Sequence, residues 1–156
     1  MGLRHDILNE PVSELELREV LRARRGMTVR EAVQVMRQNA LGYVVLLDED
    51  DRPLHMFTER MLIKIVLSGS SHMADPIDQY YYKKADTIRQ DQPIADLLHM
   101  LTEGGLRFVC VVDAEGKIIG VTGQKGVMEY IADHFPRSVK VQDMAAKVSM
   151  SQREGA

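Results

Sequence analysis

The chain repeats itself at a separation of 65 residues, and this constrains its fold more than any single motif does. Pro11 and Pro76 stand at that separation, and the register holds without a gap to the last helical segment. Val29 meets Ile94, Glu31 meets Asp96, Tyr43 meets Phe108 and Val44 meets Val109. Asp48 then meets Asp113, Arg52 meets Lys117, Arg60 meets Lys125 and Leu62 meets Val127. Few pairs are identities, but apolar, turn and charged positions keep their class through six successive elements. Chance alignment of apolar runs imitates one element, not six in register, so the chain is an internal duplication.

Each copy reads through the same series of signals. In the first, Pro11–Leu15 opens a small helix and Val20-Leu21 is briefly extended. Thr28 with Glu31 has capping-box spacing ahead of a helix with Val29, Ala32, Val33 and Met36 on one face. Tyr43–Leu47 is a buried-strand signal, Asp48–Arg52 a hairpin turn, Pro53–Phe57 a returning strand and Arg60–Leu67 a helix. In the second, Thr87-Ile88 is a short strand and Pro93–Thr102 a helix stopped by Gly104-Gly105. Arg107–Val112 and Lys117–Thr122 are strands around a turn, and Val127–His134 is a helix. The expected division is a polar lead-in over 1–10, a first repeat over 11–68, a linker over 69–75, a second repeat over 76–136 and a tail over 137–156. The tail has weak periodicity around Val141, Met144, Ala145 and Val148, suited to docking as a helix.

Composition removes several functional classes. The 156 residues carry a net charge of −3, which argues against a general nucleic-acid or anionic-membrane binder. No apolar run approaches a membrane span, and the N-terminus lacks a signal-peptide core, so a cytoplasmic location is expected. Aromatic residues make up 5% and Trp is absent, leaving the core to aliphatics and ten Met. The single cysteine, Cys110, sits in the apolar run Phe108–Val112 and reads as a buried, inert thiol. The five histidines have no metal-ligand spacing, and no nucleophile–base pairing stands out, so the chain does not read as an enzyme.

The chemistry suggested by local sequence is anion binding. Leu54–Leu62 runs from a strand into a helix start with Thr58 and Arg60 at the junction, where free backbone N–H groups can cradle a phosphate. Gly120–Val127 is its counterpart, and Gly120, Gly123 and Gly126 with Lys125 offer either a backbone cradle, without P-loop spacing, or a plain flexible strand-to-helix turn. Arg22, Arg24 and Arg25 offer either a polyphosphate clamp or a solvated loop. Asp48–Asp51 is an acidic turn without EF-hand spacing. Tyr80-Tyr81-Tyr82 fits an interface patch or a cover over the core.

The ordered set Thr28–Ala32 with Met36, Tyr43–Asp48 and Phe57–Arg60, repeated as Asp91–Asp96, Val109–Asp113 with Gly116, and Gly120–Thr122, resembles the cystathionine-β-synthase (CBS) domain. The chain is thus similar to a tandem pair, or Bateman module. The resemblance implies an α+β fold, two β-α-β-β-α repeats packed about a pseudo-twofold axis, that commonly dimerises again. It also implies adenine-containing ligands (AMP, ADP, ATP or S-adenosylmethionine) in two clefts, with no cofactor required. Ligand contacts are then expected from Leu21, Arg22, Gly42, Tyr43, Val44, Thr58, Arg60 and Met61 in the first half. The second half would contribute Thr87, Ile88, Phe108, Val109, Thr122, Gly123, Lys125 and Gly126. The sequence departs from the family pattern at its ribose-binding aspartate, which is Met61 in one half and Gly126 in the other. Two readings follow: a homodimeric sensor of an adenine nucleotide or adenosyl ligand, and a ligand-free scaffold for dimerisation or an unknown protein partner.

Overall fold

The computed structural model describes residues 2–69, 72–80 and 83–134; the tail expected over 137–156 and the pair Tyr81-Tyr82 lie outside them. The described elements are helix α1 (Leu3–Asn9), a 3-10 turn at Val12–Glu14, β1 (Arg22–Ala23), α2 (Val29–Asn39), β2 (Tyr43–Leu47), β3 (Pro53–Thr58) and α3 (Glu59–Leu67). After a second 3-10 turn at Ile77–Tyr80 come β4 (Thr87–Arg89), α4 (Ile94–Glu103), β5 (Phe108–Val112), β6 (Ile118–Gly123) and α5 (Gln124–His134). The fold is α+β, with two three-stranded sheets ordered β1-β2-β3 and β4-β5-β6. In each, the short first strand runs parallel to the middle strand, and the third runs antiparallel to it.

The 65-residue register survives in the backbone. Arg22 faces Val45 as Thr87 faces Cys110, and both hairpins shift register at equivalent points, Leu46/Leu47 and Val111/Val112. The hairpin turns share one device. Asp48 Oδ1 accepts from the N–H groups of Asp50 and Arg52, and Asp113 Oδ1 accepts from those of Glu115 and Lys117. Both copies use the left-handed region at the same places: Asp51 at φ 61 corresponds to Gly116 at φ 83, and Ala40 at φ 52 to Gly105 at φ 60. The second copy has glycine at each site, whereas the first holds a side chain in a region disfavoured for L-residues.

Helix α2 starts with the full capping box, the Thr28 side chain accepting from Glu31 N–H and the Glu31 carboxylate from Thr28 N–H. What precedes it comes from the other half of the chain. Val29 N–H donates to the Asp75 carbonyl and Ile77 N–H to the Met27 carbonyl. Ile94 N–H likewise donates to the Glu10 carbonyl and Val12 N–H to the Gln92 carbonyl. The arm leading into each repeat therefore closes the helix entrance of the other repeat. Its side chains follow. Val12 and Leu15 lie in the core of Ile88, Ile94, Leu97, Leu101, Val109 and Val111, while Ile77 lies in the core of Val29, Ala32, Val44, Leu46 and Phe57.

A third core joins the two sheets through Tyr43, Val45, Leu47, Cys110, Ile118 and Val121. At its end the rings of Tyr43 and Phe108, equivalent residues of the two copies, meet at 4.9 Å between centroids. The Tyr43 hydroxyl donates to the Glu19 carbonyl at 2.7 Å, and burial pushes the phenol up to about 12. Tyr80 covers the first-repeat core and donates to Asp75 Oδ2 at 2.8 Å. That bond, with one from His72, holds the Asp75 carboxyl below its usual range.

Because the arms are exchanged, Ile77→Ala is expected to cost about 2–5 kcal/mol and to weaken both halves together. Urea unfolding followed by circular dichroism and by tyrosine fluorescence should give one coincident transition; two separated transitions would contradict the exchange. Ala40→Gly, by contrast, relieves a left-handed alanine and should raise stability by about 0.5–1 kcal/mol, read from the same urea curves.

Candidate functional site

Two clefts open where the strands run out beside the Tyr43–Phe108 contact. The first, of about 320 Å³, is lined by His55, Met56, Thr58, Arg60 and Met61 from the β3–α3 junction. Lys83–Asp86 and Gly104–Phe108 complete it from the second repeat. The second, of about 400 Å³, is lined by Val121–Gly126 at the β6–α5 junction, by Arg18 and Ala40–Tyr43 from the first repeat, and by Glu59, Arg107 and Phe108. The two are related by the duplication: Thr58 corresponds to Gly123, Arg60 to Lys125, Met61 to Gly126 and Lys83 to Arg18. Both volumes fall within the range of small-molecule pockets. Arg107 and Phe108 line both clefts.

The β3–α3 junction has the form its sequence predicts. Thr58 is the N-cap of α3, yet its side chain makes no capping hydrogen bond, which leaves the hydroxyl for another acceptor or donor. Glu59 N–H is taken by the Gly42 carbonyl at 3.0 Å, and the following helix-start N–H groups have no intrahelical acceptor. Met61 lines the first cleft while also packing on the first-repeat core. His55 is buried beside it, and burial holds its imidazole below the usual range, so it is neutral at pH 7.

Charge distinguishes the clefts. The first gathers Arg60, Lys83, Lys84 and Arg107 against a single carboxylate, Asp86, which pairs with Lys83 at 2.9 Å. Arg60, Lys84 and Arg107 make no ion pair among the described residues; Arg107 lies 5.4 Å from the Phe108 ring centre. In the second cleft Arg18 is committed to Glu129, and the Glu59 carboxylate folds over Gly42, 2.8–3.1 Å from where a Cβ would stand. Lys125 and the shared Arg107 are its cations without an ion pair among the described residues. The Thr122 hydroxyl is buried in that lining with no hydrogen-bond partner among the described residues.

Among the residues singled out from sequence, Thr58, Arg60, Met61 and Phe108 converge on the first cleft. Gly42, Tyr43, Phe108, Thr122, Gly123, Lys125 and Gly126 converge on the second. Leu21, Val44, Ile88 and Val109 lie instead in the hydrophobic cores, and Thr87 lies on β4 outside both linings. Arg22 and Arg24 pair with Asp51 at 3.2 and 2.7 Å and lie outside both linings. The three glycines of the second junction are packing residues first. A Cβ on Gly120 would strike Leu17, one on Gly123 would run into the Arg107 carbonyl oxygen, and one on Gly126 would come within 2.9 Å of Thr122 Oγ1. Lys83, Lys84, Asp86, Arg107 and Glu59 went unnoticed in sequence. They are set beside the junctions by the opposite repeat, and the 65-residue register, carried from Gly42 to Arg107, would have pointed to one of them.

Comparison with known proteins agrees with this architecture. The CBS domain family signature matches twice, at residues 12–68 and 77–133. The chain belongs to the CBS domain family. A 23% identical protein of Acidianus ambivalens aligns over 78% of this chain and 73% of its own length. A CBS domain protein of Pyrobaculum aerophilum, solved as a complex with AMP, superposes with a TM-score of 0.68 at 23% identity, covering 74% of this chain and 88% of that one. A CBS domain pair solved with 5′-methylthioadenosine and S-adenosyl-L-methionine gives a TM-score of 0.69 at 14% identity, covering 79% and 96%. No helix among the described residues is long and apolar enough to cross a membrane.

The one thiol of this CBS pair is outside the chemistry of either cleft. Cys110 is fully buried between the sheets, and burial pushes it up to about 12. A disulfide reagent at pH 8 should leave the folded chain unmodified and titrate one thiol per chain in denaturant; rapid labelling of the native protein would contradict this burial.

Proposed function

We propose that this CBS pair is a regulatory module that binds a phosphate-bearing adenine nucleotide, with the first cleft as the principal site. The observation that carries the reading is the set of cations there, Arg60 and Lys84 beside the shared Arg107, which make no ion pair among the described residues, in a chain whose net charge is negative. Unpaired positive charge in a concave site beside a helix start favours phosphate oxygens. It disfavours S-adenosylmethionine, whose sulfonium centre is itself cationic. The aspartate that the family usually directs at the ribose is replaced by Met61, and the carboxylate within reach of the same cleft is Asp86. In the second cleft, Lys125 and the unpartnered Thr122 hydroxyl meet the smaller polar demand, with Glu59 as the carboxylate. A buried Cys110 and the lack of a catalytic pairing in the sequence support regulation rather than catalysis.

The same reading takes the chain as a homodimer. Ile63, Val66 and Leu67 on α3 are 59%, 64% and 79% exposed, and Met128 on α5, the counterpart of Ile63, is 62% exposed. Large apolar side chains exposed at equivalent places on two equivalent helices suit a second copy, which would present the same pair of surfaces in return.

Thermal denaturation tests ligand binding by mass action. ATP, ADP and AMP at ~1 mM should raise the melting temperature by several degrees, in that order, and S-adenosylmethionine should not. Arg60→Ala should weaken nucleotide binding about tenfold, the loss of one charge-assisted contact. Absence of any shift with all four ligands would remove the sensor reading and leave the scaffold. Light scattering on Ile63→Lys with Met128→Lys should report a monomer where the parent chain is a dimer; a monomeric parent would remove the assembly part.

A further inference from the structure

Away from both clefts, helix α1 and the end of α5 bring three metal-ligating side chains together. Asp6 and Glu10, one helical repeat apart, lie along one side of α1 and its C-cap, and His134 is the last residue of α5. Their ligand atoms all lie within 4.8 Å of one another, with His134 Nε2 4.0 Å from Asp6 Oδ2.

The imidazole is already held as a metal ligand would be. His134 Nδ1 lies 2.9 Å from the Tyr130 carbonyl oxygen, which only accepts, so Nδ1 carries the hydrogen and Nε2 is the atom turned toward the carboxylates. The ring also lies against Tyr130, 4.1 Å between centroids. The Tyr130 hydroxyl in turn donates to Glu10 Oε2, which orients that carboxylate and leaves it further lone pairs. One tyrosine thus positions two of the three groups from outside the cluster.

Helix α1 is otherwise held by partly buried side chains and by the Glu10 carbonyl, which accepts from Ile94 N–H. It is seven residues long, has no side-chain N-cap and contributes no fully buried residue; Leu3 and Ile7 pack only partly buried on the second-repeat core. A helix of that length is not stable by itself.

We propose that Asp6, Glu10 and His134 form a binding site for one divalent cation of the zinc class, which fastens α1 to the end of α5. One imidazole nitrogen with two carboxylates suits Zn²⁺ and its first-row neighbours, whereas Mg²⁺ and Ca²⁺ prefer an all-oxygen set. Ligands around a tetrahedral ion with bonds of about 2.0 Å stand roughly 3.3 Å apart, so the present spacing closes by side-chain rotation, with the fourth position left to water.

The test uses the full chain, stripped with a chelator and exchanged into chelator-free buffer, then titrated with Zn²⁺ by calorimetry. The expected result is stoichiometric uptake with no comparable response to Mg²⁺, and greater amide-exchange protection of α1 in the zinc-bound protein. Asp6→Asn and His134→Gln should each lower affinity about 100-fold or more, and Tyr130→Phe about tenfold through loss of positioning. His99→Gln, on exposed α4 surface, should change nothing. Thermal melts in chelator separate a lost ligand from a lost fold, and Asp6→Asn, nearly isosteric on a partly exposed helix, keeps the test valid if His134→Gln unfolds. Failure of the parent chain to take up zinc at ~10 µM, or undiminished uptake by Asp6→Asn, would overturn the site and leave an ordinary Asp6–His134 ion pair.

Discussion

The exchange of arms between the two repeats is the constraint on which the rest depends. Each repeat, cut out of the sequence, lacks the backbone hydrogen bonds that the other repeat's arm makes at the entrance to its helix, and a fully buried side chain of its own core. Val12 supplies the second repeat and Ile77 the first. Neither half can bury its apolar face without the other's arm, so a sequence with two copies folds as one unit. Docking of the two hairpin turns adds to this. Ile118 N–H donates to the Asp51 carbonyl at 2.9 Å and Arg52 Nε to the Glu115 carbonyl at 3.0 Å, while the Tyr43–Phe108 contact lies at the strand ends.

That same constraint creates the clefts. Each is assembled from a strand-to-helix junction of one repeat and from the arm and loop of the other, so neither exists in an isolated repeat. Because Arg107 and Phe108 line both, and Phe108 touches Tyr43, the two openings share a wall. The duplication makes them equivalent in backbone, but not in charge. Arg60, Lys83 and Lys84 gather around the first beside the shared Arg107, while in the second the counterpart of Lys83, Arg18, is paired with Glu129.

Much of the fold was legible in the sequence because backbone needs recur at the 65-residue interval. The paired aspartates of the hairpin turns, the Thr28–Glu31 capping box and the uninterrupted apolar runs of β2 and β5 each state a local requirement in local residues. The arm exchange was not legible in that way. Val12 and Ile77 are apolar whichever core they enter, and register along the chain says nothing about which repeat receives them. The candidate site was legible where it lies at the junctions, in Thr58, Arg60, Met61, Thr122 and Lys125. It was illegible where it depends on the partner repeat: Lys84 and Arg107 look like ordinary surface cations until the loops that carry them are brought across to Arg60. The packing need for the glycines was not legible either: Leu17 and the Arg107 backbone approach Gly120 and Gly123 from elsewhere in the chain.

Loss of a ribose carboxylate at Met61 and Gly126 need not abolish binding if another term replaces it. A carboxylate accepting two hydroxyls selects for the sugar, while cations at a helix start select for phosphate. In the first cleft the first term is gone and the second is enlarged, as Met61 adds apolar surface on one side and Arg60, Lys84 and Arg107 add charge on the other. Affinity in such a site would scale with the charge of the phosphate chain more than with the identity of the ribose. It would also fall with ionic strength, as exposed charge pairs do. The second cleft has moved the other way. Gly126 makes room beside a buried hydroxyl, Thr122, which has no hydrogen-bond partner among the described residues. One duplicated backbone therefore presents two differently charged clefts, which share Arg107 and Phe108 as a wall.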